Sequence, residues 1–355
     1  MRFAFIGLGH AARWLHLPAV RSVPGSEVVG GADSSQESRS AWRQLEAGPA
    51  FDTAEELLER TAPDVVVIAT PPDSHAALCL QALDAGAHVV CEKPFTETVE
   101  EADRIIERAA EVERTVVVNQ EFRYMPIYSC IPPLIGRPGY GKPVFLHVTQ
   151  FMDLAPWDEK VAWRAAMPNR TLFEGGVHII DLVFAYMGDL PERVFAVTSS
   201  GLDRTRDADA IHLVTLDFGD GRLAQVTIDR LSKTGTRYLD LRLDCEEASL
   251  RASHGGRAYV QVGIKRAQRP GIRLDFGLEG LAWVERGERR KVLARNPRQV
   301  TVEATRRLYQ DAFAHIEQGR EPPTSAGTAR QTLRIIEAAY ESARTGRVVE
   351  IASTA

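Results

Sequence analysis

The sequence predicts a doubly wound, parallel α/β domain followed by an α+β domain with a mainly antiparallel sheet, and three observations carry that expectation. Up to about residue 122, short Val/Ile-rich runs that are apolar on both faces alternate with longer helical patterns. A Gly-x-Gly-x-x-Ala turn sits directly behind the first of these runs. After residue 123 the strand-like segments alternate in character, and one is joined to the next by Asp-Gly turn chemistry. A chain of 355 residues suits two such domains, 1–122 and 123–355.

In the first domain Arg2–Ile6, Val28–Gly31, Val65–Ala69, His88–Val90 and Thr115–Val118 read as strands. Asp73-Ser74 precedes the helical run HAALCLQALDAG, and Gly86 closes it. Thr96 opens ETVEEADRIIERAAEVE, where the apolar Val99 three residues on argues against a full capping box. This is the punctuation of βαβ units.

In the second domain a helix is expected over Ile127–Ile135. Strands follow at Val144–Phe151, Val194–Ser199, His212–Phe218, Leu223–Ile228 and Tyr238–Leu243, with a helix from about Gly175 to Met187 among them. Asp217-Phe-Gly-Asp-Gly221 reads as a hairpin turn, so its flanking strands should pair antiparallel. Two closing helices, Val302–Glu317 and Ala329–Ala343, are separated by Pro322-Pro323.

Composition narrows the partner. A formal charge of -5 gives no broad basic field for a phosphate backbone, so a small molecule is expected rather than nucleic acid. The opening MRFAFIGLGH lacks the features of a signal peptide, and apolar runs are only strand-sized, so neither export nor a membrane partner is expected and a cytoplasmic protein is. Cys79, Cys91, Cys130 and Cys245 form no CxxC pair and read as reduced, mostly buried thiols.

Gly7-Leu8-Gly9-His10-Ala11-Ala12 follows a strand and opens a helix, the context in which such a turn holds a pyrophosphate. The first glycine permits the tight turn, the second lets backbone approach the anion, and the small Ala12 allows close helix packing. Asp33, at the end of the second strand, can accept hydrogen bonds from ribose hydroxyls and repel a 2'-phosphate, which favours NAD; Ser34, Ser35 and Arg39 beside it keep NADP open. Asp33 also fits a plain helix N-cap.

Further motifs sharpen the picture. Cys91-Glu92-Lys93-Pro94 is preceded by Ala69-Thr70-Pro71-Pro72-Asp73-Ser74-His75 and by Ala85-Gly86-Ala87-His88-Val89-Val90, and is followed much later by Phe173-Glu-Gly-Gly-Val-His178-Ile-Ile-Asp181 and by Ile336–Gly346. With the glycine turn, this set resembles the Gfo/Idh/MocA family of glucose-fructose oxidoreductase/inositol dehydrogenase-like, NAD(P)-dependent oxidoreductases, over almost the whole chain. The resemblance implies a Rossmann domain, a second domain whose open sheet makes oligomer contacts in a homodimer or homotetramer, an active site between domains, a non-covalent nicotinamide cofactor and no metal. Carried onto this chain, its cofactor contacts fall on Gly7, Gly9, His10, Ala11, Ala12, Asp33, Ser34, Thr70, Pro71, Pro72, His75, Glu92, Lys93 and Arg164.

Oxidising an alcohol requires a group that takes the hydroxyl proton and a positive charge near the developing alkoxide. Lys93, at the end of a strand, and His178 suit those roles. Glu174, His178 and Asp181 are spaced i, i+4, i+7, which would place them on one helix face. In the resembled enzymes the acidic position is usually Asp; Glu174 here could polarise the site, orient Lys93, or cap the helix. Asp181 reads as an orienting partner of His178. Arg123, Tyr124, Trp157, Trp163, Arg164 and Arg170 are candidate substrate contacts, and His16, His75 and Trp14 lie near the nucleotide-facing loops with packing as their equal alternative. The leading expectation is hydride transfer to or from a carbinol carbon of a sugar, inositol or sugar derivative. Its rivals are a glycosidase that oxidises C3 transiently with NAD, and a ligand-binding member that has lost chemistry.

Overall fold

The computed structural model describes residues 1–153, 167, 169–201, 209–233, 238–255, 259–264, 272–277 and 280–351. They form two compact units: Met1–Tyr124 with Thr301–Arg334, and Met125–Val300 with Ile335–Ala355.

The first unit is built on six parallel strands: β1 (Arg2–Ile6), β2 (Glu27–Ala32), β3 (Ala50–Phe51), β4 (Val65–Ile68), β5 (His88–Cys91) and β6 (Val116–Val118). Their order is β3-β2-β1-β4-β5-β6, so the winding reverses between β1 and β4. Both faces are covered. Ala4, Ile6, Val66, Ile68 and Val89 pack on one side with Cys79, Leu83, Ala102 and Ile105 of the helices His75–Asp84 and Val99–Glu111. Phe3, Phe5, Val65 and Val67 pack on the other with Leu17, Trp42, Leu308, Tyr309 and Phe313.

That second layer explains why residues 301–334, which the sequence patterning assigns to the second domain, fold with the first. The helix Val300–Glu317 lays Leu308, Tyr309, Ala312 and Phe313 on the sheet, and Phe3 meets the Phe313 ring edge-on at 5.6 Å. Ser325 then bridges Val117 antiparallel, beside β6. Two local expectations also change. The two-residue β3 is too short to register as a pattern. The capping box exists after all, two residues later than Thr96: the Thr98 hydroxyl accepts from the Glu101 amide, and the Glu101 carboxylate accepts from the Thr98 amide.

The second unit carries nine strands: β7 (Pro143–Phe151), β8 (Arg193–Ser199), β9 (Ile211–Asp217), β10 (Leu223–Asp229), β11 (Tyr238–Cys245), β12 (Ser249–His254), β15 (Leu281–Arg286), β16 (Arg289–Arg295) and β17 (Val349–Glu350); β13 (Tyr259–Ile264) and β14 (Ile272–Gly277) pair separately. The order β16-β15-β12-β11-β7-β10-β9-β8-β17 is antiparallel throughout except at β10 and β7, and the 217–221 turn joins β9 to β10 as a hairpin. Alternation is strict: Val194, Ala196, Val214, Leu216, Ala224 and Val226 are buried, whereas Phe195, Val197, Leu213 and Leu223 on the opposite face are exposed. The buried face carries the helix Val177–Met187, whose exposed remainder is small because it is apolar almost all round. The helix expected at 127–135 is instead a short turn of α-helix, Pro126–Ser129, and a 3-10 turn, Pro132–Leu134. Pro132 and Pro133 remove the amides a continuous helix would need. No helix among the described residues is long and apolar enough to cross a membrane.

Candidate active site

The glycine turn leaves β1 at the point where the winding reverses, the position at which open α/β sheets bind ligands. Gly7 has φ +85°, and a Cβ there would lie 2.7 to 2.8 Å from Thr70 and the Ala69 carbonyl, so the turn closes against the end of β4. Gly9 is the opposite case: a Cβ there would meet nothing within 4 Å. The space beside the second glycine is thus open to a ligand, as a pyrophosphate approaching the backbone requires. His10 is exposed and Ala11 half-buried, while Ala12 is buried and packs on the sheet. The helix opened here is not purely α: Ala12–His16 form a π turn, with the Leu17 amide donating to the Ala12 carbonyl.

Asp33 ties the turn to β2. Its Oδ2 accepts from the Leu8 amide and its Oδ1 from the Ser35 amide, both at 2.8 Å. The N-cap of the following helix is Ser35, not Asp33, since the Ser35 hydroxyl accepts from the Ser38 amide. Each Asp33 oxygen retains a lone pair for a ribose hydroxyl. Arg39, the cation nearest to hand for a 2'-phosphate, donates to the carbonyls of Asp33 (2.7 Å) and Ser34 (2.9 Å) and pairs with Asp52 at 2.9 Å. Ser34 itself is exposed.

On the β4 side, Thr70 accepts from the Ser74 hydroxyl at 2.7 Å, Pro71 carries its backbone extended, and Pro72 begins a 3-10 turn. His75 is fully buried, with Nε2 at 2.9 Å from the Thr70 carbonyl and Nδ1 at 2.9 and 3.1 Å from those of Pro94 and Phe95. It braces these two loops and leaves no ring nitrogen for a cofactor. Lys93 follows β5 and is half-buried. Its neighbour Glu92 accepts from His16 Nε2 at 2.7 Å, from Asn119 Nδ2 at 2.8 Å, and from the Lys93 amide at 3.1 Å. Burial alone would push this carboxyl up, but His16, Lys93 and Asn119 together outweigh it and hold Glu92 at about 2. Because the folded value lies below the unfolded one, the stability it contributes is present above the usual carboxylate range and is lost as pH falls towards 2. Arg123 and Tyr124 stand on a 3-10 turn, where Arg123 donates to the Pro323 carbonyl at 3.2 Å and Tyr124 to Asp311 at 2.7 Å. Both therefore brace the 301–334 segment, and burial with the Asp311 charge pushes the Tyr124 phenol up.

In the second unit Glu174 lies within a π turn, Thr171–Gly175, and the α-helix bearing His178 and Asp181 begins only at Val177. His178 and Asp181 share the α-helix three residues apart, and Glu174 stands four residues before His178, in the π turn that leads into that helix. The N-cap of that α-helix is Gly176. Glu174 is half-buried, His178 is 3% exposed and Asp181 is fully buried. Arg170 stands at the N-cap of the π turn. Trp157, Trp163 and Arg164 lie outside the described residues.

Behind the π turn is a cluster that no local pattern announces. Asp209 accepts from the Thr171 amide at 2.8 Å, from the Tyr340 hydroxyl at 3.1 Å, and from His212 Nε2. The Arg230 guanidinium donates to the Thr171 carbonyl at 3.4 Å and fills the space where a Gly175 Cβ would be.

Comparison with known proteins decides the lineage. Residues 1–120 match the family described as "Oxidoreductase family, NAD-binding Rossmann fold", and residues 140–351 match its "C-terminal alpha/beta domain". The chain belongs to the Gfo/Idh/MocA oxidoreductase family. It is similar to the D-apiose dehydrogenase of Paraburkholderia graminis, at 26% identity over 99% of this chain and 89% of that protein. It is also similar to the UDP-N-acetylglucosamine 3-dehydrogenase of Acidithiobacillus ferrooxidans, at 26% over 67% and 70%. Among solved structures, an Agrobacterium radiobacter oxidoreductase in complex with NAD+, L-tartaric acid and magnesium superimposes with a TM-score of 0.82, at 20% identity over 99% of this chain and 98% of that one. The myo-inositol 2-dehydrogenase of Lactobacillus plantarum gives 0.79, at 17% over 99% of both. At such identities the solved structures establish the fold. Membership makes the first unit an NAD-binding Rossmann domain, which the open space at Gly9 and the placement of Asp33 fit.

Proposed function

We propose that the chain is an NAD-dependent dehydrogenase or reductase of a sugar, inositol or sugar derivative, with Lys93 stabilising the alkoxide and His178 carrying the hydroxyl proton. The supporting observation is the setting of Lys93: it follows β5 at the carboxyl edge of the parallel sheet, with its amide held by an ionised Glu92. A bound nicotinamide would take or return the hydride. Lys93 supplies a positive charge where negative charge develops on the oxygen, and a nearly buried His178 can hold or release a proton while little water competes. Asp181, one turn further along the same helix, orients the imidazole, and Glu174 contributes a carboxylate at the substrate end. With Arg39 engaged by Asp52 and two carbonyls, NAD is favoured over NADP.

The exposed apolar face of the nine-stranded sheet supports a homodimer or homotetramer built through it, since Phe195, Val197 and Leu213 lie on adjacent strands of one face. Light scattering of Leu213→Lys is expected to show dissociation to smaller species; an unchanged mass would remove this face from the assembly.

The deciding experiment follows NADH absorbance with NAD over a panel of free sugars, inositols and glycosides while keto and released sugars are quantified. Rising NADH matched by a keto product is expected. Sugar release without NADH accumulation would replace this reading by the redox-assisted glycosidase, and binding without any turnover by the inactive ligand binder.

A further inference from the structure

The π turn Ala12–His16 ends in an imidazole with no exposed surface, whose role the hydride reading leaves open. His16 Nε2 donates to Glu92 Oε1 at 2.7 Å, and its Nδ1 shares a hydrogen bond of 2.6 Å with the Tyr309 hydroxyl. Asn119, just beyond β6, donates to the same Glu92 oxygen, while the other oxygen takes the Lys93 amide. One carboxylate, 13% exposed, thus gathers the π turn, the ends of β5 and β6 and, through His16, the helix Val300–Glu317. The chain of bonds stops in the core. Tyr309 has no exposed surface, and burial together with the Glu92 charge pushes its phenol far up, so it keeps its proton and offers no exit to water. Such a network holds a group in place; it does not conduct protons.

We infer that His16 is a positioning residue for Lys93: braced by Tyr309, it fixes the Glu92 carboxylate, and Glu92 fixes the Lys93 amide, so that the lysine leaves the strand end in one direction. This rests on the reading of Lys93 as a catalytic residue. The titratable and charged groups facing Glu92 are His16, Lys93, Tyr309 beyond His16, and Cys91 behind it. Of these only His16 donates a side-chain hydrogen bond to the carboxylate, with Asn119 as the neutral second donor. Without His16, Glu92 loses that residue's hydrogen bond and charge, and it takes up a proton at a higher pH.

The test uses the full chain as His16→Leu, His16→Gln and Tyr309→Phe, with Lys93→Ala as control. The chain has six lysines, so 13C-methylation of their amines gives a readable set of signals, and Lys93→Ala identifies one of them. In His16→Leu the Lys93 signal is expected to move while the other lysine signals hold. On the sugar that wild type turns over, kcat should fall at least ~10-fold and its acid limb rise by a pH unit or more, with NADH affinity from fluorescence within ~3-fold. His16→Gln, which can donate to Glu92 and accept from Tyr309, should recover kcat to within ~3-fold of wild type. If His16→Leu does not fold, Tyr309→Phe carries the test, with the same signal moving and a smaller loss of kcat. An unmoved Lys93 signal and pH profile in a folded His16→Leu, or in Tyr309→Phe, overturns the inference. Unchanged turnover in Lys93→Ala overturns the catalytic reading instead, and the lysine signal, which needs no substrate, still decides whether His16 positions Lys93.

Discussion

The two regions that carry the candidate chemistry are built from the same parts and finished differently. Each has a π turn, Ala12–His16 in the first unit and Thr171–Gly175 in the second, and each is joined to a histidine–carboxylate–tyrosine cluster, whose histidine is the last residue of the turn in the first unit and lies outside it in the second. Around Glu92 the histidine is satisfied on both nitrogens, and the carboxylate bonds directly to the amide of the residue that carries the charge. Around Asp209 the carboxylate bonds to the amide that starts the π turn, three residues before Glu174, while His212 Nδ1 and Thr171 Oγ1, both buried, have no hydrogen-bond partner among the described residues. The first cluster aims one side chain. The second anchors a segment of backbone.

The strongest way to break this comparison is at the residues the clusters serve. Lys93→Ala and His178→Gln are each expected to lower kcat/KM by roughly 10²–10⁴ while NAD affinity changes little. A large loss at Lys93 with none at His178, measured on the same substrate, would confine the chemistry to the first unit and leave the second with binding alone.

The next effect separates the two glycines of the turn. Gly9→Val enters open space, so it should leave the melting temperature almost unchanged and weaken NAD binding by ~100-fold, or about 2.7 kcal/mol. Gly7→Ala meets backbone at 2.8 Å from a left-handed conformation and should instead cost about 1–3 kcal/mol of stability. Calorimetry of both variants with and without NAD checks this; equal stability losses would mean that the space beside Gly9 is not where the dinucleotide lies.

What could be read from the sequence follows the same divide. The parallel sheet announces itself because strands such as Val65–Ile68 are buried on both faces, and because the glycine turn, Asp33 and Lys93 sit at strand ends that the apolar runs mark. The antiparallel strands from β7 to β11 show through their alternation. The short β3 is too brief to show, and charged residues interrupt the alternation in β12 and β16. Neither π turn is legible, since an extra residue in a turn leaves no compositional mark. At 171–175 a 3.6-residue period continues the α-helix back through Glu174, where the backbone takes a π turn instead. The partners Tyr309, at 293 residues from His16, and Tyr340, at 168 from Leu172, are set by packing of distant helices, and a histidine or tyrosine in a helical pattern does not name its partner.

The smallest effect is the one that tests whether the second cluster only anchors. The Tyr340 hydroxyl bonds to Asp209 and to the Asn169 carbonyl, and accepts from the Leu172 amide at 3.1 Å; burial and then the Asp209 charge push its phenol up, so it stays a donor across any working pH. Tyr340→Phe keeps the ring packed edge-on to His212 and removes only that oxygen. A loss of about 1–2 kcal/mol in urea unfolding is expected, with kcat within ~3-fold of wild type, because the helix Val177–Met187 is still held by its apolar face. Tyr309→Phe should do the reverse, moving the Lys93 signal and the pH profile more than the stability. If Tyr340→Phe cuts kcat tenfold or more at unchanged stability, then Asp209 acts on the chemistry as directly as Glu92, and the two regions are equivalent after all.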